Sequence, residues 1–397
     1  MRVSGFKASA AKANIKYKDR LDLGVIFSEV SCVTSAFFTQ NLVKAAPVLD
    51  SITLLKESDS FKAIVVNSGN ANACTGQKGL DDCKTIRKQA ADFLKCAPEQ
   101  ILVCSTGVIG AHLPMENYLK GLKEACSHLS EEGLVDVSEA ILTTDTRPKV
   151  AAREIQIEKN TIHIFGMAKG AGMIAPQMAP HATMLAFILT DAVVEPSFWK
   201  HLTGSSVEKT FNRISVDGDM STNDTVIAMA NGMARNIVLD GEDDTSSKFS
   251  SAVYDVMRSL SEQIVMDGEG ATKCVELIVT GAGNEKEAEL CARAISNSPL
   301  VKTAFFGEDP NWGRIIAACG YSGARFRQED VNIFINNVQL VKGGISLGDN
   351  AEKAAKVEMK KNRFSVKVDL GAGDSTFEML TCDLSTEYIH INADYRT

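Results

Sequence analysis

The sequence of 397 residues lacks the features that mark membrane-spanning, nucleic-acid-binding and repetitive proteins. No apolar run reaches about 18 residues, so a membrane-spanning helix is not expected. Basic residues are not in excess, because 42 Lys and Arg stand against 50 Asp and Glu and give a net charge of −8. Phosphate binding needs clustered basic side chains, so nucleic acid is not expected as a partner. A length of 397 residues is enough for two domains or one large layered domain, and a hydrophobic content of 45% is ordinary for a soluble globular protein.

The cysteine and histidine patterns of metal sites and disulfide frameworks are missing as well. The ten cysteines contain no CxxC pair, and the six histidines are isolated from one another. The first residues, MRVSGFKASAAKANIKYKD, have no apolar core followed by a cleavage site, so they do not resemble a secretory signal. We therefore expect reduced, mostly buried thiols, no metal and a cytoplasmic location.

The first half of the sequence alternates between strand-like and helix-like stretches. Strands are predicted over 21–38, 63–66 and 101–104. A helix is predicted to open at Asp81 and to end by Pro98, and a second helix follows Pro114. This order predicts a layered arrangement of helices and strands.

The second half continues the alternation with more strands. The predicted elements are a hairpin over 154–166 that turns at Asn160, a helix over 195–212, an exposed connection over 240–251, a strand over 275–280 followed by a helix that Asn284 caps, and strands over 331–335, 364–370 and 377–382 with a hairpin turn over 371–374.

A candidate nucleophile lies in the stretch Lys169 to Ala192, KGAGMIAPQMAPHATMLAFILTDA. Thr183 stands directly before the apolar run 184–189, which is typical of a buried strand or the start of a helix. Such a threonine is more often a cap or an ordinary strand residue than a nucleophile. If the bond after Ala182 is cleaved, however, Thr183 gains a free α-amine with a pKa of roughly 7.7–8.0. One residue then supplies both the nucleophile and its base.

Eleven segments of the sequence, in order, resemble the ornithine acetyltransferase family, the glutamate N-acetyltransferase of the cyclic arginine pathway. They are GFKASAAKANIKYKDRLDL, TQNLVKAAPV, VVNSGNANACTG, STGVIG, TTDTRPK, KGAGMIAP, ATMLAFILTDA, SVDGDMSTNDTV, DGEGATK, GEDPNWGRI and NADYRT. Any one of them is weak evidence, but together they cover nearly the whole chain.

The resemblance implies a precursor that cleaves itself between Ala182 and Thr183. The products would be an α chain, 1–182, and a β chain, 183–397, assembled into an α2β2 heterotetramer. The implied fold class is α+β, with layered sheets covered by helices, an Ntn-like, self-cleaving fold of the DmpA type.

The resemblance also implies roles for individual residues. Thr183 would be the nucleophile, and Thr106 and Gly107 would form the oxyanion hole through a hydroxyl and a main-chain N–H. The implied substrate-binding residues are Thr146, Lys169, Thr183, Glu269, Asn392 and Thr397.

Three of the implied binding residues have plainer interpretations. Without the resemblance, Lys169 would be interpreted as a surface charge and Thr146 as a hydroxyl in a turn. Glu269 is otherwise an ion-pair partner of Lys273, one helical turn along the chain. With the resemblance, we expect Lys169 to bind the α-carboxylate of ornithine and Glu269 to bind its side-chain ammonium.

The implied reaction is a ping-pong transfer of the acetyl group from N2-acetyl-L-ornithine to L-glutamate, without a metal or an organic cofactor. Three alternatives stay open. The enzyme could also take acetyl from acetyl-CoA, as a bifunctional N-acetylglutamate synthase does. It could instead be an N-terminal-nucleophile amidase or aminopeptidase that passes the acyl group to water. It could also be a catalytically inactive relative that binds amino acids.

Two segments are not explained by the implied chemistry. Pro180, His181 and Ala182 make the stretch before Thr183 about three residues longer than the family pattern. We expect an inert loop insertion there, with His181 as a base for cleavage as the alternative. The segment 309–315, DPNWGRI, has no evident chemical role; for Trp312 and Arg314 we expect a structural or interface role at least as much as a catalytic one.

Overall fold

The computed structural model of the protein describes residues 2–175 and 184–393. Numbered in chain order, its strands are β1 Phe6–Ala11, β2 Leu23–Phe38, β3 Ser60–Asn67, β4 Ile101–Ser105, β5 Lys149–Ile157, β6 Asn160–Lys169, β7 Leu185–Thr190, β8 Ile214–Ser215, β9 Thr225–Ala230, β10 Cys274–Ala282, β11 Asn332–Ile335, β12 Val338–Lys342, β13 Ile345–Ser346, β14 Arg363–Asp369 and β15 Ser375–Cys382. Its helices are α1 Ala46–Leu55, α2 Gly76–Leu94, α3 Met115–Ser127, α4 Leu134–Ala140, α5 Pro196–Lys209, α6 Asp244–Met266, α7 Glu285–Ser296, α8 Pro299–Phe306, α9 Trp312–Tyr321, α10 Asp349–Met359 and α11 Thr386–Ala393.

The described residues form two compact units. Unit 1 comprises residues 2–170, 184–212 and 219–264, and unit 2 comprises 171–175, 213–218 and 265–393. Each unit therefore contains residues from both of the chains that cleavage before residue 183 would produce. The predicted division into an α and a β chain is a division of the backbone and does not coincide with these folded units.

The sheet of unit 1 brings several strand ends to one edge. Its strand order is β4-β3-β2-β9-β7-β6-β5, and β1 also pairs with β2. Strand β6 runs antiparallel to β7 with Lys169 opposite Leu185, and β7 runs parallel to β9 with Leu185 beside Thr225. The end of β6 and the beginnings of β7 and β9 therefore lie in one row.

Both faces of this sheet are covered, which explains its apolar runs. Helices α2 and α3 place Ile86 and Leu122 in a cluster with residues of β3 and β4. A second cluster contains Phe187 of β7 and Ile227 of β9. All six residues of β7 are buried, so the apolar run predicted over 184–189 is confirmed as a strand. Burial of each large apolar side chain there contributes about 1.5–3 kcal/mol.

Unit 2 contains a second mixed sheet, of order β13-β12-β11-β14-β10-β15-β8. The hairpin turn predicted over 371–374 is wrong, because β10 lies between β14 and β15 and pairs with both. The turn instead crosses the end of β10: the N–H of Leu370 donates to Thr280, and the N–H of Ala372 donates to Gly281. A Cβ at Gly373 would lie 2.5 Å from the carbonyl oxygen of Ala282, so this close crossing requires glycine there.

The exposed connection predicted over 240–251 is also wrong, because helix α6 begins at Asp244. The carboxylate of Asp243 accepts the N–H of Ser246 at 2.7 Å and satisfies one donor of the first turn. Phe249 and Val253, four residues apart, are both fully buried and give the helix its inner face. The polar composition of the first turn concealed this periodicity.

Other predicted elements are confirmed with shifted ends. Helix α2 begins at Gly76, five residues before the expected start at Asp81. In its first turn, the carbonyl oxygen of Gly79 accepts a hydrogen bond from the Asn72 side chain at 3.0 Å. Asn284 caps α7 as predicted, accepting the N–H of Glu287 at 3.0 Å. The hairpin of β5 and β6 turns directly before Asn160.

The ten cysteines are all free, and most of them are buried, as the sequence predicts. Within residues 2–175 and 184–393, no helix has both the length and the apolar character required to cross a membrane. The α+β class, with two mixed sheets and covering helices, is confirmed.

Candidate active site

A network of side-chain amides and hydroxyls connects the polar ends of β3 and β4 in unit 1. The hydroxyl of Ser105 donates to the Asn67 side chain at 2.7 Å, and that side chain donates to the carbonyl oxygen of Asn70 at 2.9 Å. The N–H of Thr106 donates to the Asn67 carbonyl at 2.9 Å. Because Asn67, Asn70 and Ser105 are buried, these bonds are shielded from water and fix the two loops together.

Gly107 lies where only glycine fits. Its φ is +135°, and a Cβ there would lie 2.3 Å from the carbonyl carbon of Gly69. Among the described residues, none accepts a hydrogen bond from the Gly107 N–H or from the Thr106 hydroxyl. Two donors next to each other are thus available to an oxygen atom of a ligand. This is the arrangement that an oxyanion hole requires.

Lys169 brings positive charge to the same place. It ends β6, is only 7% exposed, and its Nζ donates to the Thr106 hydroxyl oxygen at 3.4 Å. Its interpretation as a surface charge is therefore wrong. A buried ammonium next to two uncommitted donors suits a ligand that carries a carboxylate or develops negative charge.

Asp145 is the anion that compensates this charge, and the sequence analysis did not select it. One carboxylate oxygen accepts the Lys149 ammonium and the Gly170 N–H, both at 2.6 Å, and the other accepts the Thr143 N–H at 3.0 Å. The Lys169 ammonium lies 4.0 Å from the second oxygen. The side chain of Asp145 has no solvent exposure.

The environment of Asp145 keeps it ionised. Burial alone would raise its pKa, but Lys169, Lys149 and the Thr143 N–H together outweigh burial and lower the pKa well below its usual range. The loop that follows carries Thr146, which is solvent-exposed. Asp145 thus fixes both Lys169 and the beginning of the loop that presents Thr146.

Two further predicted residues, Glu269 and Asn392, meet within unit 2. The Asn392 side chain donates to the Glu269 carboxylate at 2.6 Å, and Glu269 is 7% exposed. Gly172 approaches so closely that a Cβ there would lie 2.4 Å from the carboxyl group of Glu269. The alternative pairing of Glu269 with Lys273 is wrong, because the Lys273 ammonium bonds Glu308 at 2.8 Å.

Asp217 holds the segment 171–175 of unit 2, and the sequence analysis did not select it. Its carboxylate accepts the N–H of Met173 at 2.5 Å and that of Ile174 at 2.8 Å. The Tyr388 hydroxyl donates to the same group at 3.3 Å. Within unit 2, this fixes the course of residues 171–175.

The structure therefore gathers the predicted residues in two sets, each within one unit. Thr106, Gly107 and Lys169 lie together, with Thr146 on the neighbouring loop, whereas Glu269 and Asn392 lie together in unit 2. The remaining predicted residues, Ala182, Thr183 and Thr397, and the inserted Pro180 and His181, lie outside the described residues.

The segment 309–315 forms hydrogen bonds with neighbouring elements of unit 2. The Asn311 side chain caps α9 by accepting the Arg314 N–H at 3.2 Å, and Arg314 donates to the carbonyl oxygen of Leu300 at 2.8 Å. The Trp312 indole N–H donates to Glu352 at 3.2 Å.

Comparison with known proteins adds the family relationship. The sequence model of the ArgJ family matches residues 7–397. The chain is 46% identical over 397 residues to the arginine biosynthesis bifunctional protein ArgJ of Geobacter sulfurreducens, with all of both chains covered. It is 44% identical over 402 residues to the glutamate N-acetyltransferase of Methanocaldococcus jannaschii, covering 99% of this chain and 97% of that protein.

A solved structure supports the fold. The crystal structure of the arginine biosynthesis bifunctional protein ArgJ from Bacillus halodurans is 42% identical in sequence, with a TM-score of 0.51. The match covers 53% of this chain and 99% of that chain.

The Asp145 cluster gives a stability prediction. Replacing Asp145 with Asn leaves the buried Lys149 ammonium without its anion, so the free energy of unfolding at pH 7 should fall by about 3–5 kcal/mol in denaturant titrations. Because the pKa of Asp145 is lowered on folding, its contribution is complete above the unfolded-state pKa of about 3.9. The difference between the variant and the wild type should therefore shrink as the pH falls below about 4.

The matched control is Asp81→Asn, at an exposed carboxylate whose ion pair with Lys84 spans 3.7 Å. It should change the free energy of unfolding by less than about 0.5 kcal/mol. Equal stability of the Asp145→Asn protein and this control would contradict the role given to the buried cluster.

Proposed function

We infer the function from one premise: the chain belongs to the ArgJ family and is therefore an acyltransferase. We propose that it transfers the acetyl group of N2-acetyl-L-ornithine to L-glutamate, as a step of arginine biosynthesis in the cytoplasm. The main support from the structure is the pair of uncommitted donors at Thr106 and Gly107 beside the buried Lys169 ammonium.

The nucleophile of the proposed reaction is Thr183, freed by self-cleavage after Ala182. Its hydroxyl oxygen attacks the acetyl carbonyl while its own α-amine takes the hydroxyl proton. The carbonyl oxygen becomes an oxyanion, which accepts hydrogen bonds from the Thr106 hydroxyl and the Gly107 N–H. The amide bond then breaks, the ammonium returns its proton to the leaving nitrogen, and ornithine departs from an acetyl ester.

The second half of the reaction runs the same steps in reverse order. The α-amine of glutamate attacks the ester carbonyl, and the same two donors bind the oxyanion. The ester bond breaks, and the Thr183 oxygen recovers its proton. The bond broken and the bond formed over the whole cycle are both amides, so the transfer needs no external energy source.

The binding residues follow the charges of the substrate. Lys169 is proposed to bind the α-carboxylate, for which its ammonium beside Thr106 is suited. Glu269 is proposed to bind the side-chain ammonium of ornithine, with Asn392 fixing the carboxylate through its 2.6 Å hydrogen bond. Thr146 and Thr397 complete the proposed set, and an α2β2 heterotetramer is the proposed assembly.

Use of a second acetyl donor is a further candidate activity. The relative from Geobacter sulfurreducens is named a bifunctional protein, which favours acetyl-CoA as an additional source of the acetyl group. Initial rates of N-acetylglutamate formation with each donor separate the one-donor enzyme from the two-donor enzyme.

Self-cleavage gives the first functional prediction. The purified wild-type protein should appear on a denaturing gel as two chains, and N-terminal sequencing of the larger should begin at Thr183. Replacing Thr183 with Ala removes the hydroxyl that attacks the preceding carbonyl, so this variant should remain at full length and be inactive. A wild-type preparation that is active yet uncut would contradict the proposed nucleophile.

Substrate binding gives the second functional prediction. Replacing Glu269 with Gln removes the negative charge but keeps the shape, so KM for N-acetylornithine should rise by about tenfold or more, which equals about 1.4 kcal/mol of lost ion pairing. The matched control is Glu378→Gln, at an exposed position on β15. An unchanged KM in the Glu269→Gln enzyme would remove Glu269 from the binding site.

A further inference from the structure

A buried side-chain amide that the proposed reaction does not use connects two loops of unit 1. Asn223 lies shortly before β9 and is 5% exposed. Its Nδ2 atom donates to the carbonyl oxygen of Ala71 at 2.6 Å and to that of Ser105 at 2.8 Å. Its Oδ1 atom accepts the hydroxyl of Thr222 at 2.6 Å. Both amide hydrogens therefore serve main-chain carbonyls that lie 152 and 118 residues earlier in the chain.

One of these bonds holds the peptide group directly before the proposed oxyanion donors. The Asn223 side chain binds the carbonyl oxygen of the peptide 105–106, and the N–H of the same peptide donates to the carbonyl oxygen of Asn67 at 2.9 Å. A peptide group is planar, so bonds at both of its polar atoms fix the orientation of the whole plane. That plane contains the Cα atom of Thr106, which carries the donor hydroxyl and leads to the N–H of Gly107.

The second bond holds the loop on which the donors pack. The N–H of Ala71 donates to the carbonyl oxygen of Val108 at 3.0 Å, and the N–H of Val108 donates to that of Gly69 at 3.3 Å. The Asn223 side chain binds the carbonyl oxygen of Ala71. Main-chain bonds thus join the donor segment to its supporting loop, and Asn223 joins both of them to a third segment.

This third segment belongs to the row of strand ends that includes Lys169. The hydroxyl of Thr225, the first residue of β9, donates to the carbonyl oxygen of Asn223 at 2.8 Å. Thr225 stands beside Leu185, which stands opposite Lys169. In the strand order, β2 and β3 lie between β9 and β4, the strand that ends in Ser105. Asn223 therefore links the ends of two strands that do not pair with each other.

We propose that Asn223 is a positioning residue for the transfer reaction. It holds Thr106 and Gly107 in the orientation toward Lys169 that the oxyanion and the substrate carboxylate together require. The inference rests on the proposed function, because it assumes that these two residues donate to an oxyanion. Such donors act only when they point at the oxygen that becomes negative, so a displacement of about 1 Å lowers the rate by up to about 10²-fold.

The first test measures kcat and KM for N-acetylornithine in Asn223→Ala, which removes both bonds. We expect kcat, expressed per cleaved chain, to fall by about 10- to 100-fold. KM should change by less than about threefold, because the charges that bind the substrate stay in place. Asn223→Ser should repeat the loss, whereas Asn223→Gln, which keeps the two donor hydrogens, should recover part of it.

The matched control is Asn231→Ala, at the opposite end of β9. Asn231 is 8% exposed, and its side chain donates to the carbonyl oxygen of Ser4 at 2.8 Å. Its loss should lower the free energy of unfolding about as much as the loss of Asn223, because both are buried hydrogen-bonded amides. It should leave kcat within about twofold of the wild-type value. An equal fall of kcat in the two alanine variants would overturn the positioning role.

A double-mutant cycle tests whether Asn223 acts through the donors. In an enzyme that already carries Thr106→Ala, one of the two donors is missing, so Asn223→Ala should lower kcat by a smaller factor than it does in the wild type. Asn231→Ala should have the same effect in both backgrounds. Equal factors for Asn223→Ala in the two backgrounds would contradict the inference.

The outcomes separate this inference from the proposed function. If Thr106→Ala keeps the wild-type kcat, the proposed oxyanion hole is wrong, and the inference is wrong with it. If Thr106→Ala is impaired but the Asn223 variants keep the wild-type kcat, only the role of Asn223 is overturned. If all three Asn223 variants are unfolded or uncut, Asn223 serves folding or cleavage, which also overturns the assignment.

Discussion

The backbone pairing of β6, β7 and β9 is the constraint on which the site in unit 1 depends. It sets Lys169, Leu185 and Thr225 in one row, so the residues just beyond these strand ends share one edge of the sheet. A shift of one residue in this register would turn each side chain to the opposite face. The fully buried strands β7 and β9 prevent such a shift, because their apolar side chains fill a packed core.

Buried charge is the second determinant of the site. Asp145 holds two lysines and two main-chain N–H groups, so the buried Lys169 has an anion nearby in a place where an isolated ammonium would be costly. The position of the Thr106 and Gly107 donors next to Lys169 is fixed because Gly107 packs on the backbone of Gly69. Charge and donors are thus fixed before any ligand arrives, which is the condition for electrostatic catalysis.

Local patterns predicted the local elements, and long-range pairing accounts for what they missed. The short apolar runs correctly predicted strands β4 and β7, and the position of Asn284 directly before a helical stretch correctly predicted the cap of α7. The crossing of β14 to β15 around β10 could not be predicted, because it depends on a strand about 90 residues earlier in the chain. The contacts of Asp145 depend on partners brought together by folding, although Asp145 lies in a segment of the family pattern. The predicted roles of Thr183, Ala182 and Thr397 concern residues outside the described structure.

The central claim is that the acetyl group is bound as an ester to an N-terminal threonine during its transfer from one amine to another. The most direct test incubates the enzyme with N-acetylornithine carrying a labelled acetyl group, without glutamate, and then analyses the acid-quenched protein by peptide mass spectrometry. The account predicts label on the N-terminal threonine of the 183–397 chain, and its loss when glutamate is added before the quench. Label on another residue, or transfer to glutamate without any labelled protein, would contradict it.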